Sequence, residues 1–218
     1  LVDSGYDVIP IMSQNAFSTS TRFGKAEETV KRAEEITGKA VLHSVVQTEP
    51  IGPKKMCDLL VIAPCTGNTL AKLSLGITDT AVTMAAKSHL RILRPVLLCV
   101  ATNDALGASA QNIGRLLNTK NIYFVPLKQD DCIKKPNSLV ADFDKLEDCV
   151  TLALQGKQHQ PIFYNRTTAV LKCKFSKRLL FYAWIVCATG QIIKTCAVAV
   201  GKFNEQGEWN FSFAPFIF

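Results

Sequence analysis

Residues 58–69 read DLLVIAPCTGNT, and they decide the predicted fold. Residues 58–64 form an almost continuous apolar run, which is typical of a strand buried on both faces of a parallel sheet. The residues that follow form a small polar turn, and helical spacing begins at residue 67. A buried strand that leads through a polar turn into a helix is a unit of α/β proteins, which bind ligands at the carboxyl ends of their strands.

The same alternation of strands and helices continues on both sides of this unit. The predicted elements are strands over 7–12, 95–101 and 121–126 and helices over 26–38, 67–76, 79–88, 109–118 and within 137–154. Asp79 is the predicted N-cap of its helix. Short connections between such elements predict an α/β fold with a doubly wound parallel sheet. Residues 1–6 read as the end of a helix and a turn, so we expect the first strand of the sheet to be missing.

Residues 164–218 differ in kind from the α/β domain predicted for residues 1–163. Their periodicity is weak, and we expect a poorly defined C-terminal extension that is unrelated to the domain. The run 179–201 approaches the length of a membrane span, which is the alternative interpretation. It contains Gln191 and Lys194, and a central lysine costs about 2.5–3.5 kcal/mol for insertion, so we expect no membrane span.

Charge and cysteine content exclude several classes of function. The net charge is +7, but residues 166–218 carry seven Lys or Arg and two acids, which leaves the domain with only +2. A nearly neutral domain does not indicate nucleic-acid binding. The eight cysteines form no C-x-x-C pair and there are only three histidines, so we expect no metal site. Free thiols indicate a reducing cytoplasm.

Three polar turns follow three of the predicted strands. They read SQNAFSTSTRFG at 13–24, TGNT at 66–69 and ATNDALG at 101–107. Hydroxyls, a carboxamide and free backbone N–H groups at the start of a helix suit an anion or the polar edge of a ring. Each turn alone could be a simple helix cap, but three at one edge of a sheet favour a binding site. The G-x-G-x-x-G, P-loop and G-x-S-x-G motifs are absent.

The stretch APCTGNTLAKLSLGITD, from residue 63 to residue 79, resembles a family motif. It is similar to the P-A-S-A-N-T motif and the downstream G-I-x-D of the homo-oligomeric flavin-containing cysteine decarboxylases. The turn after residue 12 resembles that family's S/T-x-x-A turn, and Asn103 matches the asparagine of its P-x-M-N-x-x-M-W motif. The matching positions are Ser13, Ala16, Pro64, Asn68, Thr69, Gly76, Asp79 and Asn103.

This resemblance implies a flavodoxin-like sheet that binds FMN. The FMN-binding residues it implies are Ser13, Thr66, Gly67, Asn68, Thr69 and Thr102. The family's first strand and the phosphate-binding turn after it have no counterpart here, so we expect an incomplete FMN site. The decarboxylases also carry a histidine where this chain has Pro50, and the methionines and tryptophan around Asn103 are missing. Without an imidazole to move the proton, decarboxylation is disfavoured.

Longer segments, such as EPIGPK, TDTAVTMAAKSHLR and RPVLLCVATNDALGASAQNIGRLL, resemble one branch of the family over residues 1–163. That branch supplies the flavoprotein-like half of a two-subunit oxidoreductase of spore-forming bacteria. The resemblance implies a partner subunit that holds NADP, and a small substrate from lysine synthesis with two carboxylates. A decarboxylase-type flavoprotein and a non-catalytic scaffold remain alternatives.

Candidate catalytic residues under this interpretation are Asn68 and Asn103, which would orient the substrate ring and a carboxylate. Arg22 and Lys134 are the candidate clamps for the substrate carboxylates, and Lys128 and Lys135 are further candidates. Positive side chains suit this role because the substrate carries two negative groups. A solvated surface position is the alternative for each of these basic residues.

Overall fold

A computed structural model describes residues 1–21, 24–163, 181–183, 197–203 and 209–212. The chain separates into two compact units, Leu1–Asn165 and Arg166–Phe218. Among the described residues, no helix is long and apolar enough to cross a membrane. Most of the apolar run 179–201 lies outside the described residues.

The described part of the first unit contains seven helices and five strands. The helices are α1 (Gln14–Ser18), α2 (Ala26–Thr37), α3 (Val45–Thr48), α4 (Gly67–Leu75), α5 (Ala81–Arg91), α6 (Ala110–Leu117) and α7 (Leu146–Leu154). The strands are β1 (Leu60–Cys65), β2 (Val96–Thr102), β3 (Ile122–Phe124), β4 (Leu127–Lys128) and β5 (Leu139–Ala141). In the second unit, β6 (Phe181–Ala183), β7 (Ala197–Phe203) and β8 (Trp209–Ser212) form an antiparallel sheet in that order.

β2 is the centre of the first sheet. β1 and β3 flank it in parallel, with Leu60 opposite Val96 and Phe124 opposite Leu98. The first five residues of β2 are buried, as expected of a strand covered on both faces. The flavodoxin-like α/β fold is therefore confirmed, with β2 in the core and helices packed against the sheet.

The sheet is mixed rather than wholly parallel. β5 runs antiparallel to the end of β2, and β4 runs antiparallel to β5. The predicted strand over 121–126 is divided into β3 and β4 at Pro126, because proline has no N–H to donate to a neighbouring strand. β5 lies inside the range 137–154, where the sequence predicted only a helix.

The prediction of a strand over residues 7–12 is wrong. Its ladder consists of one bridge, Ile11 to Leu42, with hydrogen bonds from Met12 N to Leu42 O and from Leu42 N to Pro10 O, both 2.9 Å. Pro10 removes one donor, and the ladder extends no further. In residues 1–21 and 24–163, β1 pairs only with β2, so its other edge carries no strand.

The start of α5 also differs from the prediction. Thr80 is its N-cap, in a capping box with Thr83, whose backbone N–H donates to the Thr80 hydroxyl at 3.2 Å. Asp79 instead forms an ion pair with Lys72 at 2.8 Å. A threonine with a polar partner three residues later satisfies two free N–H groups, which an aspartate one position earlier does not reach.

Candidate functional site

The turn at residues 66–69 joins the buried end of β1 to the start of α4. Cys65 is fully buried, and Thr66 adopts an extended backbone as the N-cap. The Thr66 side chain makes no capping hydrogen bond; its hydroxyl lies 3.3 Å from the Thr69 hydroxyl. The first N–H groups of α4 therefore have no side-chain cap. Together with the helix dipole, they favour an acceptor or an anion at this position.

Gly67 lies against the end of β2. A Cβ at this position would lie 2.8 Å from the Thr102 hydroxyl oxygen and 3.3 Å from that of Ser109. The absence of a side chain therefore lets the 66–69 turn approach the turn that follows β2. The structure brings together two of the three predicted polar turns through this contact.

The third polar turn, at 13–24, contributes residues to a cavity of about 920 Å³ that the 66–69 turn also lines. Ser13, Thr66 and Thr69 are polar members of its lining, and residues 59–64 of the β1 region and Val8, Ile9 and Ile11 contribute apolar surface. Ser13 also caps α1, since its hydroxyl accepts from Ala16 N at 3.3 Å. The cavity places Ser13 near Thr66 and Thr69, whereas Gly67, Asn68, Thr102 and Asn103 are not among the residues that line it.

The turn after β2 is organised by Asp104, which sequence reasoning did not single out. Its carboxylate accepts hydrogen bonds from the backbone N–H groups of Ala108 and Ser109, both at 3.2 Å. Its own N–H donates to the Thr102 hydroxyl at 3.4 Å. The sequence signal for this role of Asp104 was an aspartate a few residues before a helix, because such carboxylates accept hydrogen bonds from the free N–H groups of a turn.

The two candidate catalytic asparagines occupy different turns. Asn68 is exposed in the first turn of α4, and Asn103 is exposed directly after β2. Asn103 Oδ1 lies 3.4 Å from the hydroxyl oxygen of Ser138, a buried residue that precedes β5. Sequence reasoning missed Ser138 because it did not predict the antiparallel return of β5.

The candidate residues for binding the substrate carboxylates lie in different environments. Arg22 lies outside the described residues. Lys134 is exposed in the loop between β4 and β5, where its backbone N–H donates to Asp131 at 2.9 Å. Lys128 forms an ion pair with Asp142 at 2.8 Å, and Lys135 forms one with Asp130 at 3.0 Å. The last two lysines therefore already face protein carboxylates.

The electrostatics of the site favour binding over thiol chemistry. Burial raises the pKa of Cys65 to about 12, and that of Cys99 on the neighbouring strand to about 12 as well. Both side chains are therefore neutral thiols at pH 7 and not nucleophiles. No group of three or more potential metal ligands occurs among the described residues.

Comparison with known proteins identifies the family. The sequence model of the Flavoprotein family matches residues 1–154. The chain belongs to the Flavoprotein family. It is 49% identical over 162 residues to the B subunit of dipicolinate synthase of Bacillus subtilis (strain 168), covering 74% of this chain and 81% of that protein.

A solved structure agrees with this membership. The crystal structure of the dipicolinate synthase B subunit from Bacillus halodurans matches with a TM-score of 0.69 and 43% identity, over 76% of this chain and 85% of that one. The family predicted from the P-A-S-A-N-T-like turn and the branch predicted from the longer segments are confirmed. Membership supports a flavin cofactor and an enzyme-related role, and similarity to a B subunit implies a partner subunit.

The residues that are present fit part of a flavin. The N–H groups at the start of α4 lack a side-chain cap and suit a phosphate or a hydrogen-bond acceptor on a ring, and Thr66 and Thr69 line the cavity beside them. Thr102 lies close to the same turn, because Gly67 has no side chain to keep the two apart.

Proposed function

We propose that this chain is the flavoprotein subunit of a dipicolinate synthase and forms dipicolinate together with the A subunit of that enzyme. The observation that carries the proposal is the 49% identity to a dipicolinate synthase B subunit, which extends over 81% of that protein. The substrate would be an intermediate of the dihydrodipicolinate type, and the product would serve spore formation. We also propose a cytoplasmic location and assembly into a homo-oligomer.

The proposed reaction removes water and two electrons from a six-membered nitrogen ring. Loss of water from the hydroxylated tetrahydro ring gives the dihydro ring, which then loses one hydride and one proton to become aromatic. We assign the hydride acceptor to NADP on the A subunit, because this chain has no nicotinamide motif. FMN bound to this chain would supply an alternative two-electron acceptor for the same step.

The chain's own residues bind and orient under this proposal. Ser13 and the turn at 66–69 hold the flavin, together with Thr102, and Asn68 and Asn103 orient the ring and a carboxylate of the substrate. Lys134 and Arg22 are assigned to the substrate carboxylates, because hydrogen bonds from a charged donor to a carboxylate are about twice as strong as neutral ones. Lys134 is an exposed lysine of the β4–β5 loop, and Ser138 at the end of this loop contacts Asn103.

The test combines the purified chain with the A subunit, NADP and the dihydrodipicolinate intermediate, and follows the ultraviolet absorbance of dipicolinate. Product that forms faster with both chains than with the A subunit on its own supports the proposal. An unchanged rate contradicts it. The flavin content of the active complex, measured by its visible absorbance, separates a flavin-dependent enzyme from a non-catalytic scaffold.

A decarboxylase-type flavoprotein is the alternative from the same family. Pro50 stands where the decarboxylases have a histidine, and in the structure it lies in a short 3₁₀ turn before β1. Release of CO₂ from a peptide with a C-terminal cysteine by this chain alone would favour that alternative over dipicolinate formation.

A further inference from the structure

The short helix α1 places two residues at the cavity without burying any of its own. Ser13, its N-cap, and Ala16 line the cavity, and none of the five residues of α1 is buried. A helix this short is not stable by itself, because nucleating a helix costs more free energy than a single turn returns. Contacts outside α1 therefore fix where Ser13 and Ala16 lie.

One of these contacts is a pair of stacked rings. The rings of Phe17 and His43 have centroids 3.9 Å apart, and their planes are inclined by 13°. Neither residue lines the cavity. Because successive residues of a helix are about 100° apart around its axis, α1 presents Ala16 to the cavity and Phe17 to His43 at the same time. The stack therefore holds the helix from the side that does not face the cavity.

His43 is held in place by neighbours in its own segment. Its backbone N–H donates to Gln47 Oε1 at 2.9 Å, and the same oxygen accepts from Ser44 N at 3.0 Å. Ser44 and Gln47 form the capping box of α3. The residue before His43 is Leu42, which is bridged to Ile11. His43 therefore offers the aromatic ring of α1 a fixed surface.

The bridge and the ring stack lie on the two sides of Ser13 in the chain. Ile11 is bridged to Leu42 two residues before Ser13, and Phe17 stacks on His43 four residues after it. Residues 11–17 are thus attached twice to adjacent residues of one segment. The bridge orients the chain that leads to Ser13, and the stack orients the helix that begins there. α1 also packs against α2, and the stack adds the attachment on the side of residues 42–43.

We propose that Phe17 and His43 are positioning residues, whose stacked rings hold α1 so that Ser13 lies at the cavity and binds the flavin there. Ser13 Oγ already accepts from Ala16 N at 3.3 Å, which leaves its own proton for an acceptor in the cavity. An oxygen of the flavin, on its phosphate or its ring, is the kind of group that this proton suits. The proposal rests on the proposed function for the identity of this ligand only.

The positioning role is tested without a ligand by NMR of the labelled protein. In the unchanged chain, the Phe17 ring shifts the ring protons of His43 upfield, and this shift disappears in Phe17→Leu and is kept in Phe17→Tyr. The backbone amide resonance of Ser13 moves in both Phe17→Leu and His43→Leu, because either change removes the stack. Phe143→Leu, at an exposed phenylalanine in the 3₁₀ turn before α7, is the control and leaves both signals unchanged. A Ser13 resonance that is the same in all variants overturns the proposal.

A double-mutant cycle on FMN binding tests what the stack does for the site. Phe17→Leu and His43→Leu each weaken FMN binding to the chain by roughly 3- to 10-fold, the range of one aromatic pair, and Phe17→Tyr restores it to within about 2-fold. The double variant loses no more than the weaker-binding single variant, because both changes remove the same contact. His159→Leu, at a histidine that does not line the cavity, is the control and leaves FMN binding unchanged.

Two results of the binding measurement overturn the proposal. One is a pair of losses that add in the double variant, because the two residues would then act independently. The other is a change below about 2-fold in both single variants. A chain that binds no FMN contradicts the proposed flavin site instead, and the Ser13 resonance then decides the positioning role.

Discussion

At Gly67, one added carbon would lie 2.8 Å from Thr102 Oγ1 and 3.3 Å from Ser109 Oγ. The polar turn around Gly67 was predictable from the sequence, because a buried strand, a small polar stretch and a helix follow one another there. The reason for the glycine was not predictable, since Thr102 and Ser109 lie more than thirty positions further along the chain. Ser138 escaped prediction for the same reason: its relation to Asn103 depends on strand register.

Gly67→Ala is expected to weaken FMN binding by about 10-fold and to lower the free energy of unfolding by about 1–3 kcal/mol, the usual cost of overpacking. The added methyl group would push the 66–69 turn away from Thr102. Titration with FMN and urea unfolding measure the two effects. Gly114→Ala is the matched control. Gly114 also lies in a helix, α6, and a Cβ at this position meets nothing within 4 Å. Equal behaviour of the two variants contradicts this role of Gly67.

Among the secondary-structure elements, those with a continuous apolar run or a clear helical period were predictable. β1, β2, α2, α4 and α5 appear within a few residues of their predicted bounds. The predictions failed where pairing between segments that are distant in the sequence determines whether a strand forms. The 7–12 segment has the composition of a strand but only one bridge, and β5 is a strand of three residues that exists because β2 and β4 pair with it.

The N-cap of α5 stabilises the first turn of that helix. Thr80→Ala is expected to lower the free energy of unfolding by about 1 kcal/mol, because it removes the capping box with Thr83. Asp79→Ala, the matched control, is expected to cost less, because its ion pair with Lys72 is exposed on the aspartate side. Urea unfolding of both variants measures the difference. A larger loss in Asp79→Ala would restore Asp79 as the cap.

Across residues 1–218, the location of the charges argued against nucleic-acid binding. The motif resemblance went further than composition, because the P-A-S-A-N-T-like turn and the longer segments indicated the family that the comparisons confirm. The boundary expected near residue 163 and the relation of residues 164–218 to the domain stay predictions. They depend on contacts that local sequence patterns do not encode.

The accessibility of the cysteines tests the packing of the first unit. Burial raises the pKa of Cys65 and of Cys99 to about 12, whereas Cys132 is exposed in the β4–β5 loop. Under native conditions at pH 8, a thiol reagent should modify Cys132 rapidly and leave Cys65 and Cys99 unmodified, because only the thiolate reacts. Mass spectrometry of the digested protein locates the label. Modification of Cys65 or Cys99 at the rate of Cys132 would mean that the core around β1 and β2 is open.

We propose that the turns after β1 and β2 form the site at which this chain takes part in making dipicolinate. The most direct measurement is the rate of dipicolinate formation with the A subunit for the unchanged chain, Asn68→Ala, Asn103→Ala and the control Asn118→Ala. Asn118 is exposed at the C-terminal end of α6. We predict that the first two variants lose at least about 10-fold in rate, as expected for the loss of an orienting hydrogen bond, and that the control stays within 2-fold. Equal rates for all four proteins would mean that Asn68 and Asn103 do not orient the substrate.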